Sequence, residues 1–203
     1  MKAHSSRAGR QGRSLGHMGT ATLALLVAGA LVGGAAGAEK SREEQRAEVR
    51  KAANETLAQL YRVQPSAKAA IEKAAGYAVF NSFGMKIGVA GTGRGKGLAV
   101  DNGSGRETFM KMLEVQAGLG FGIKKFQLVW VFETPAALSQ FTTSGWELGG
   151  QTTASAKAKE QGAALQGALA LSPGVWLYQL TDSGLALELT AKGTKYLQDG
   201  ELN

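Results

Sequence analysis

From Phe83 to Val89 the chain alternates between apolar and small positions. Phe83, Met85, Ile87 and Val89 take one parity; Ser82, Gly84, Lys86 and Gly88 take the other. Successive side chains of a strand point to opposite faces, so this segment reads as a strand with one apolar face and one nearly bare face that carries a single cation. The pattern returns further on, with Val115, Ala117, Leu119, Phe121 and Ile123 set against Gln116, Gly118, Gly120, Gly122 and Lys124. Two such segments call for a sheet. Glycine on one face of a strand lets another backbone or an aromatic ring come close, or bends the sheet around a cavity. The same bareness could serve as a groove for an acyl chain or a headgroup. Between the two segments, GTGRGKG at 91–97 is too glycine-rich for a helix and reads as a turn that displays Arg94 and Lys96.

The first 38 residues read as a secretory leader. Lys2, Arg7, Arg10 and Arg13 form a basic start without an acid, TLALLVAGALV supplies the apolar core, and Ala36-Gly37-Ala38 supplies the small-x-small cleavage pattern. The apolar core is shorter than the roughly 20 residues that span a bilayer, which favours cleavage after Ala38 over an uncleaved anchor. With no cysteine in the chain, lipid attachment at a cysteine is excluded. The expected location is periplasmic or secreted, with peripheral membrane association.

Removal of the leader changes the charge argument. The whole chain carries 23 Lys and Arg against 16 Asp and Glu. Four of the bases leave with the leader, so the remainder is only mildly basic and no nucleic-acid partner is expected. Both histidines, His4 and His17, also lie in the leader. Without His or Cys, the remainder has no Ser-His-Asp or Cys-His nucleophile and no His- or Cys-ligated metal site. The acids Asp101, Glu107, Glu133, Glu147, Asp182 and Glu188 are scattered, with no catalytic pair and no calcium-loop spacing. We expect no enzyme activity, no cofactor and no metal.

The element pattern is helix first, strand after. Ser41-Arg42-Glu43-Glu44 matches a capping box, and Val49, Ala53, Leu57 and Leu60 form the apolar stripe of a helix ending near Val63. Its Arg46, Arg50, Lys51 and Arg62 would suit a membrane surface, but an aliphatic stripe without Trp or Phe fits packing on the domain better. A second helix is expected from Pro65 to Ala75 with Ser66 as its N-cap, and a third over Pro135–Thr142 with Thr134 as its N-cap. Further strands are expected at Leu98–Val100, Thr108–Lys124 (two strands or one bent one), Gln127–Phe132, Trp146–Ala156, Val175–Thr181 and Leu185–Thr190. The stretch 159–170 has no periodic signal and reads as a loop.

Phosphate-binding motifs fail on spacing. A GxxxxGK[ST] loop ending at Gly95-Lys96 needs glycine where Ala90 stands and a hydroxyl where Gly97 stands. GxGxxG fails because Lys96 and Ile123 occupy the third glycine positions after Gly91 and Gly118. No nucleotide partner is expected. The cations remain. Lys86, Arg94, Lys96, Lys124 and Lys125 lie in or beside the glycine-bearing strands, with Arg106 and Lys111 nearby and the acids Asp101, Glu107 and Glu114 interspersed. A cluster of this kind can bind anionic headgroups at roughly 1 kcal/mol per residue.

Taken in order, several segments resemble the SYLF lipid-binding domain family of yeast, animal and bacterial proteins. They are AAGYAVF at Ala74–Phe80, Phe83–Val89 followed by GKG and Val100-Asp101, Gly118–Gly122, Phe132-Glu133 and Ser144–Glu147. The C-terminal part of the match is Gly174–Leu180, Ser183–Leu187 and Gly193–Tyr196. The resemblance runs from about Ala67 onward and is loosest at Thr152–Ala170. It implies phospholipid binding without catalysis. It supplies no set of contact residues, so the headgroup site expected here, Lys86, Arg94, Lys96, Lys124 and Lys125, rests on electrostatics alone. The expected organisation is a leader at 1–38, an amphipathic helix at 39–64 and a SYLF-like domain at 65–203. The fold class is α+β, with N-terminal helices, a curved and mostly antiparallel sheet able to close like a barrel, and one short inserted helix. The expected partner is anionic phospholipid at an envelope membrane. The alternative is a structural or protein-interaction module with an envelope protein as partner.

Overall fold

Ser41 starts the structure as its sequence requires. Its hydroxyl accepts from Glu44 N at 3.2 Å, while the Glu44 carboxylate accepts from Ser41 N at 2.7 Å. This reciprocal cap opens helix α1, Arg42–Val63. A computed structural model describes residues 40–148, 165–182, 184–186 and 193–203; the side chains at 83–91 and 116–124 fall outside that description, as does the expected leader. Helix α2 spans Ser66–Lys73, with Pro65 at the N-cap position, so Ser66 is the first helical residue and not the cap. Its hydroxyl instead accepts from the Gln64 side chain at 2.6 Å.

Two 26-residue strands follow, β1 at Gly76–Asp101 and β2 at Glu107–Phe132. Helix α3, Pro135–Ser144, is capped by Thr134, whose hydroxyl accepts from Ala137 N. The rest is β3 (Trp146–Leu148), β4 (Leu169–Ser172), β5 (Val175–Thr181), β6 (Gly184–Ala186) and β7 (Thr194–Gln198). The described strands form one antiparallel, curled sheet of the expected α+β class. β2 is its spine: β1 runs along one edge, and the other edge pairs with β7 at Met110–Glu114 and with β5 at Gln127–Phe132.

GTGRGKG is therefore not a turn. It lies inside β1 and pairs residue by residue with β2, from Gly91 opposite Gln116 to Gly97 opposite Met110. Its glycines are there for packing. The two halves of β1 lie against each other, so a Cβ at Gly95 would stand 2.8 Å from Asn81 O, and a Cβ at Gly97 would stand 2.7 Å from Val79 O and inside the Phe80 ring. Gly76 meets Val100 O in the same way. Only glycine allows this approach, and the approach curls the sheet.

The curl creates an inside and an outside. Inside are Phe80, Met110, Met112, Trp130, Phe132 and Tyr196, closed by Phe141 of α3. Ring centroids of Phe80–Tyr196 and Trp130–Tyr196 are both 4.9 Å apart at steep angles, the edge-on arrangement that aromatic quadrupoles favour. Outside, α1 and α2 lay Val49, Ala53, Leu57, Leu60 and Ile71 on Val79, Leu98, Phe109, Val129 and Val131. The helix stripe thus packs on the domain. Arg46 and Arg50 hold it there: both guanidinium groups sit over the Phe109 ring, Arg46 donates to Leu202 O at 2.6 Å, and Arg50 donates to Glu107 at 2.8 Å.

The inward positions of β2 are even-numbered here, Met110, Met112 and Glu114. Val115, which the alternation placed on an apolar face, consequently points outward and is 68% exposed. Of the expected strands Trp146–Ala156 and Leu185–Thr190 only Trp146–Leu148 and Leu185–Ala186 are described; their remainders lie outside the described residues. Among the described residues no helix is long and apolar enough to cross a membrane.

The glycine contacts give a direct stability test. Gly97→Val should lower the unfolding free energy by about 2–4 kcal/mol, because its side chain has no space without moving β1. Gly200→Ala, with nothing within 4 Å of its added carbon, should stay within about 0.5 kcal/mol. Chemical denaturation of both variants checks the pair; equal midpoints would show that the strand approach does not require glycine.

Candidate functional site

The β1–β2 register decides which cations meet. Arg94 stands opposite Leu113 and Lys96 opposite Lys111. Together with Asn81, Ser82, Gly95 and Met112 they line a cleft of about 640 Å³. Asp199 and Glu201, from the turn after β7, complete its wall. The buried Asp199 carboxylate accepts from Glu201 N at 3.1 Å, so it is held in its own turn.

Lys96 and Lys111 are direct cross-strand neighbours, and opposed like charges in that position are destabilising. Lys96 Nζ is steadied by a neutral partner, Gln45 Oε1 of α1, at 2.7 Å. Among the described residues no carboxylate lies within ion-pair distance of Arg94, Lys96 or Lys111. Elsewhere pairing is common: Arg46 and Arg50 pair with Glu43, Arg50 with Glu107, Lys68 with Glu72, and Lys40 with Glu48. The cleft thus holds three cations whose charge the described part of the protein leaves without a bound acid.

Of the residues expected to bind headgroups, the structure brings Arg94 and Lys96 together. Lys125 is exposed and lines a separate cavity of about 270 Å³ with Gln59, Phe126, Gln127 and Asp182; the two cavities share Asn81 and Ser82. Lys86 and Lys124 stand opposite Gly122 and Gly84 in the ladder, and their side chains lie outside the described residues. Lys111 joins the site although the electrostatic argument from sequence did not select it. Its placement depends on the register, which the glycine-rich composition of GTGRGKG does not reveal.

Asn81 and Ser82 are fixed rather than loose. Thr56 Oγ1 of α1 lies 3.0 Å from Asn81 Oδ1, and Ser82 Oγ donates to Phe126 O at 3.0 Å. They give the floor of the cleft a polar, oriented surface between helix and sheet.

No known family profile matches the chain. One curated protein does resemble it over most of its length. The chain is similar to Beta cell expansion factor A of Aeromonas veronii. The two are 34% identical over 170 residues, which is 80% of this chain and 60% of the Aeromonas protein. The chain therefore spans about three-fifths of that relative's length.

Behind the cleft the interior contains a second polar group. Glu114 is buried on the inner face beside Thr194, its ladder partner, and a Cβ at Gly93 would come within 2.7 Å of its carboxylate. Burial and the nearby Glu114 charge push the Tyr196 hydroxyl well above the ordinary phenol range. Burial also pushes Tyr61 and Tyr178 up to about 12, and raises Tyr77. All four tyrosines of the chain thus hold their protons longer folded than unfolded. The stability that comes from burying them is complete below pH 10 and falls as pH rises from 10 toward 12. Phenolate absorbance followed against pH should show no step centred near pH 10 in the folded protein, with ionisation arriving together with alkaline unfolding. A separate step near 10 would mean that these hydroxyls are solvated.

Proposed function

We propose that the chain binds anionic phospholipid at a membrane surface and catalyses no reaction. The observation that carries this reading is the Lys96–Lys111 pair with Arg94 beside it at an open cleft. A like-charge pair across a ladder costs stability in the free protein, and a phosphate between the two ammonium groups removes that cost. The cleft offers cations, an oriented polar floor and the apolar side chains of Met112 and Leu113, which suits a headgroup with the start of its acyl chain. The SYLF resemblance of the sequence points the same way. Lys125 in the adjoining cavity, with Lys86 and Lys124 further along the same ladder, would extend the cationic surface.

In this reading the protein works outside the cytoplasm, in the periplasm or after secretion, as a peripheral membrane protein. The Aeromonas relative is named for an effect on beta cells. An effect of that kind would here begin with contact between the cationic cleft and a lipid surface. The competing reading is a protein-interaction module, in which the same cations meet an acidic partner.

Liposome co-sedimentation tests the proposal. The protein should bind vesicles containing anionic lipid and release them as salt rises through the range where the screening length falls below about 10 Å. The combined change Arg94→Gln, Lys96→Gln, Lys111→Gln should weaken binding roughly 100-fold, at about 1 kcal/mol per lost cation. Equal binding to neutral and anionic vesicles at low salt would sink the electrostatic proposal. If lipid binding survives the triple change but a protein partner is lost on pull-down, the interaction-module reading wins. A second measurement separates function from fold. Lys111→Gln alone should raise the unfolding free energy by roughly 0.2–1 kcal/mol while weakening lipid binding, because it removes an unfavourable cross-strand pair.

A further inference from the structure

The outer face of the sheet is only partly covered. α1 covers it as far as Leu98 and Phe109, where Arg46 and Arg50 sit over the Phe109 ring. Beyond that row, among the described residues, α1 reaches only Lys96, through Gln45. Paired residues share a face, so the ladders place three outer rows in order. Lys96, Lys111 and Leu197 form the first; Arg94, Leu113, Lys195 and Glu147 the second; Thr92 and Val115 the third.

Three apolar side chains protrude from these rows: Leu113 at 42% exposure, Val115 at 68% and Leu197 at 37%. Among the described residues the remaining large exposed hydrophobic is Val63, at the end of α1. The inner positions of the same stretch include the buried Glu114. The β2 segment thus keeps Met110 and Met112 inside with Glu114, and turns Leu113 and Val115 outward beside Lys111, so the outer face mixes aliphatic and cationic side chains.

We infer that this open face is a bilayer-docking surface, on which Leu113, Val115 and Leu197 enter the interfacial region while Arg94, Lys96 and Lys111 meet anionic headgroups. The inference rests on the lipid-binding reading above and adds the orientation of the protein and an apolar component of binding. Charge selects the occupant. A second copy docked on this face would bring these cations against their own counterparts, a repulsive arrangement. An anionic bilayer is complementary to the three cations; of the acids nearby, Lys195 pairs with Glu147 at 3.3 Å, Asp199 is buried in its own turn, and Glu201 stands at the cleft wall. The apolar side chains stand up separately from the outer side of the curled sheet, which an interface of mobile acyl chains accepts without a matching pocket.

The complete absence of cysteine makes a clean test possible. Single variants Leu113→Cys, Val115→Cys and Leu197→Cys, each labelled with an environment-sensitive fluorophore, are mixed with vesicles of mixed phosphatidylglycerol and phosphatidylcholine; Lys51→Cys on the exposed side of α1 is the control. The three sheet probes should shift to the blue and be quenched by spin-labelled lipid, and the control should do neither. Replacing all three apolar residues by serine should weaken vesicle binding at least about tenfold at high salt, where the electrostatic part is screened. If the protein co-sediments with anionic vesicles but the sheet probes stay unchanged, this docking face is wrong and the lipid reading survives. Failure of every labelled protein, and of the unlabelled chain, to co-sediment overturns both. A blue shift that follows protein concentration without lipid assigns the face to a second copy and overturns the inference.

Discussion

The close approach of the two halves of β1 is the contact on which this fold depends. Where Gly95 and Gly97 face the carbonyls of Asn81 and Val79, two stretches of one strand lie nearer than any side chain permits. That contact folds the β1–β2 ladder over itself. It divides the sheet into an interior filled by aromatic rings and an exterior partly roofed by α1. The cleft is a by-product of the same contact, since Asn81 and Ser82 of one half and Arg94 to Lys96 of the other are brought together only because the strand doubles back. Packing and binding therefore share their glycines. The cations that can recognise an anion alternate, residue by residue, with the glycines that build the curl.

Alternation also explains the charge pattern. In a strand that must present glycine inward at Gly93, Gly95 and Gly97, the positions between are forced outward, and there stand Thr92, Arg94 and Lys96. Opposite them β2 supplies Val115, Leu113 and Lys111. A cationic and aliphatic outer face thus follows from the residues chosen for positions that geometry leaves free. Nothing in the core requires them. That contrast with Arg46 and Arg50, whose charges hold α1 to Phe109, Glu107 and the turn before Asn203, separates the cations that bind the protein to itself from those available to a partner.

Local signals in the sequence are legible where the physics is local. The Ser41–Glu44 box, the Thr134 cap and the β5 segment Val175–Thr181 are visible because caps and short apolar runs act within a few residues. The α+β class followed from the change of period after Gly76. Register was not legible. Glycine-rich GTGRGKG reads as a turn by composition, and only the long-range contact with Val79 and Asn81 turns it into a strand. The same blindness hid Lys111 from the site and left open which side of the sheet Val115 faces. β4 and β7 escaped because Leu169–Ser172 and Thr194–Gln198 are short, and their pairing to β5 and β2 is settled by partners distant in sequence. Lys86 and Lys124 are placed by the ladder alone.

The position of the tryptophans has a practical consequence. Trp130 is fully enclosed among Phe132, Phe141, Trp146 and Tyr196, and Trp176 packs on the α1–α2 side. No indole therefore belongs to the open rows of β1, β2 and β7. The natural emission of this protein therefore follows the state of the curl more closely than what the outer face touches. A flat tryptophan signal during a binding titration would thus be the normal appearance of an occupied protein.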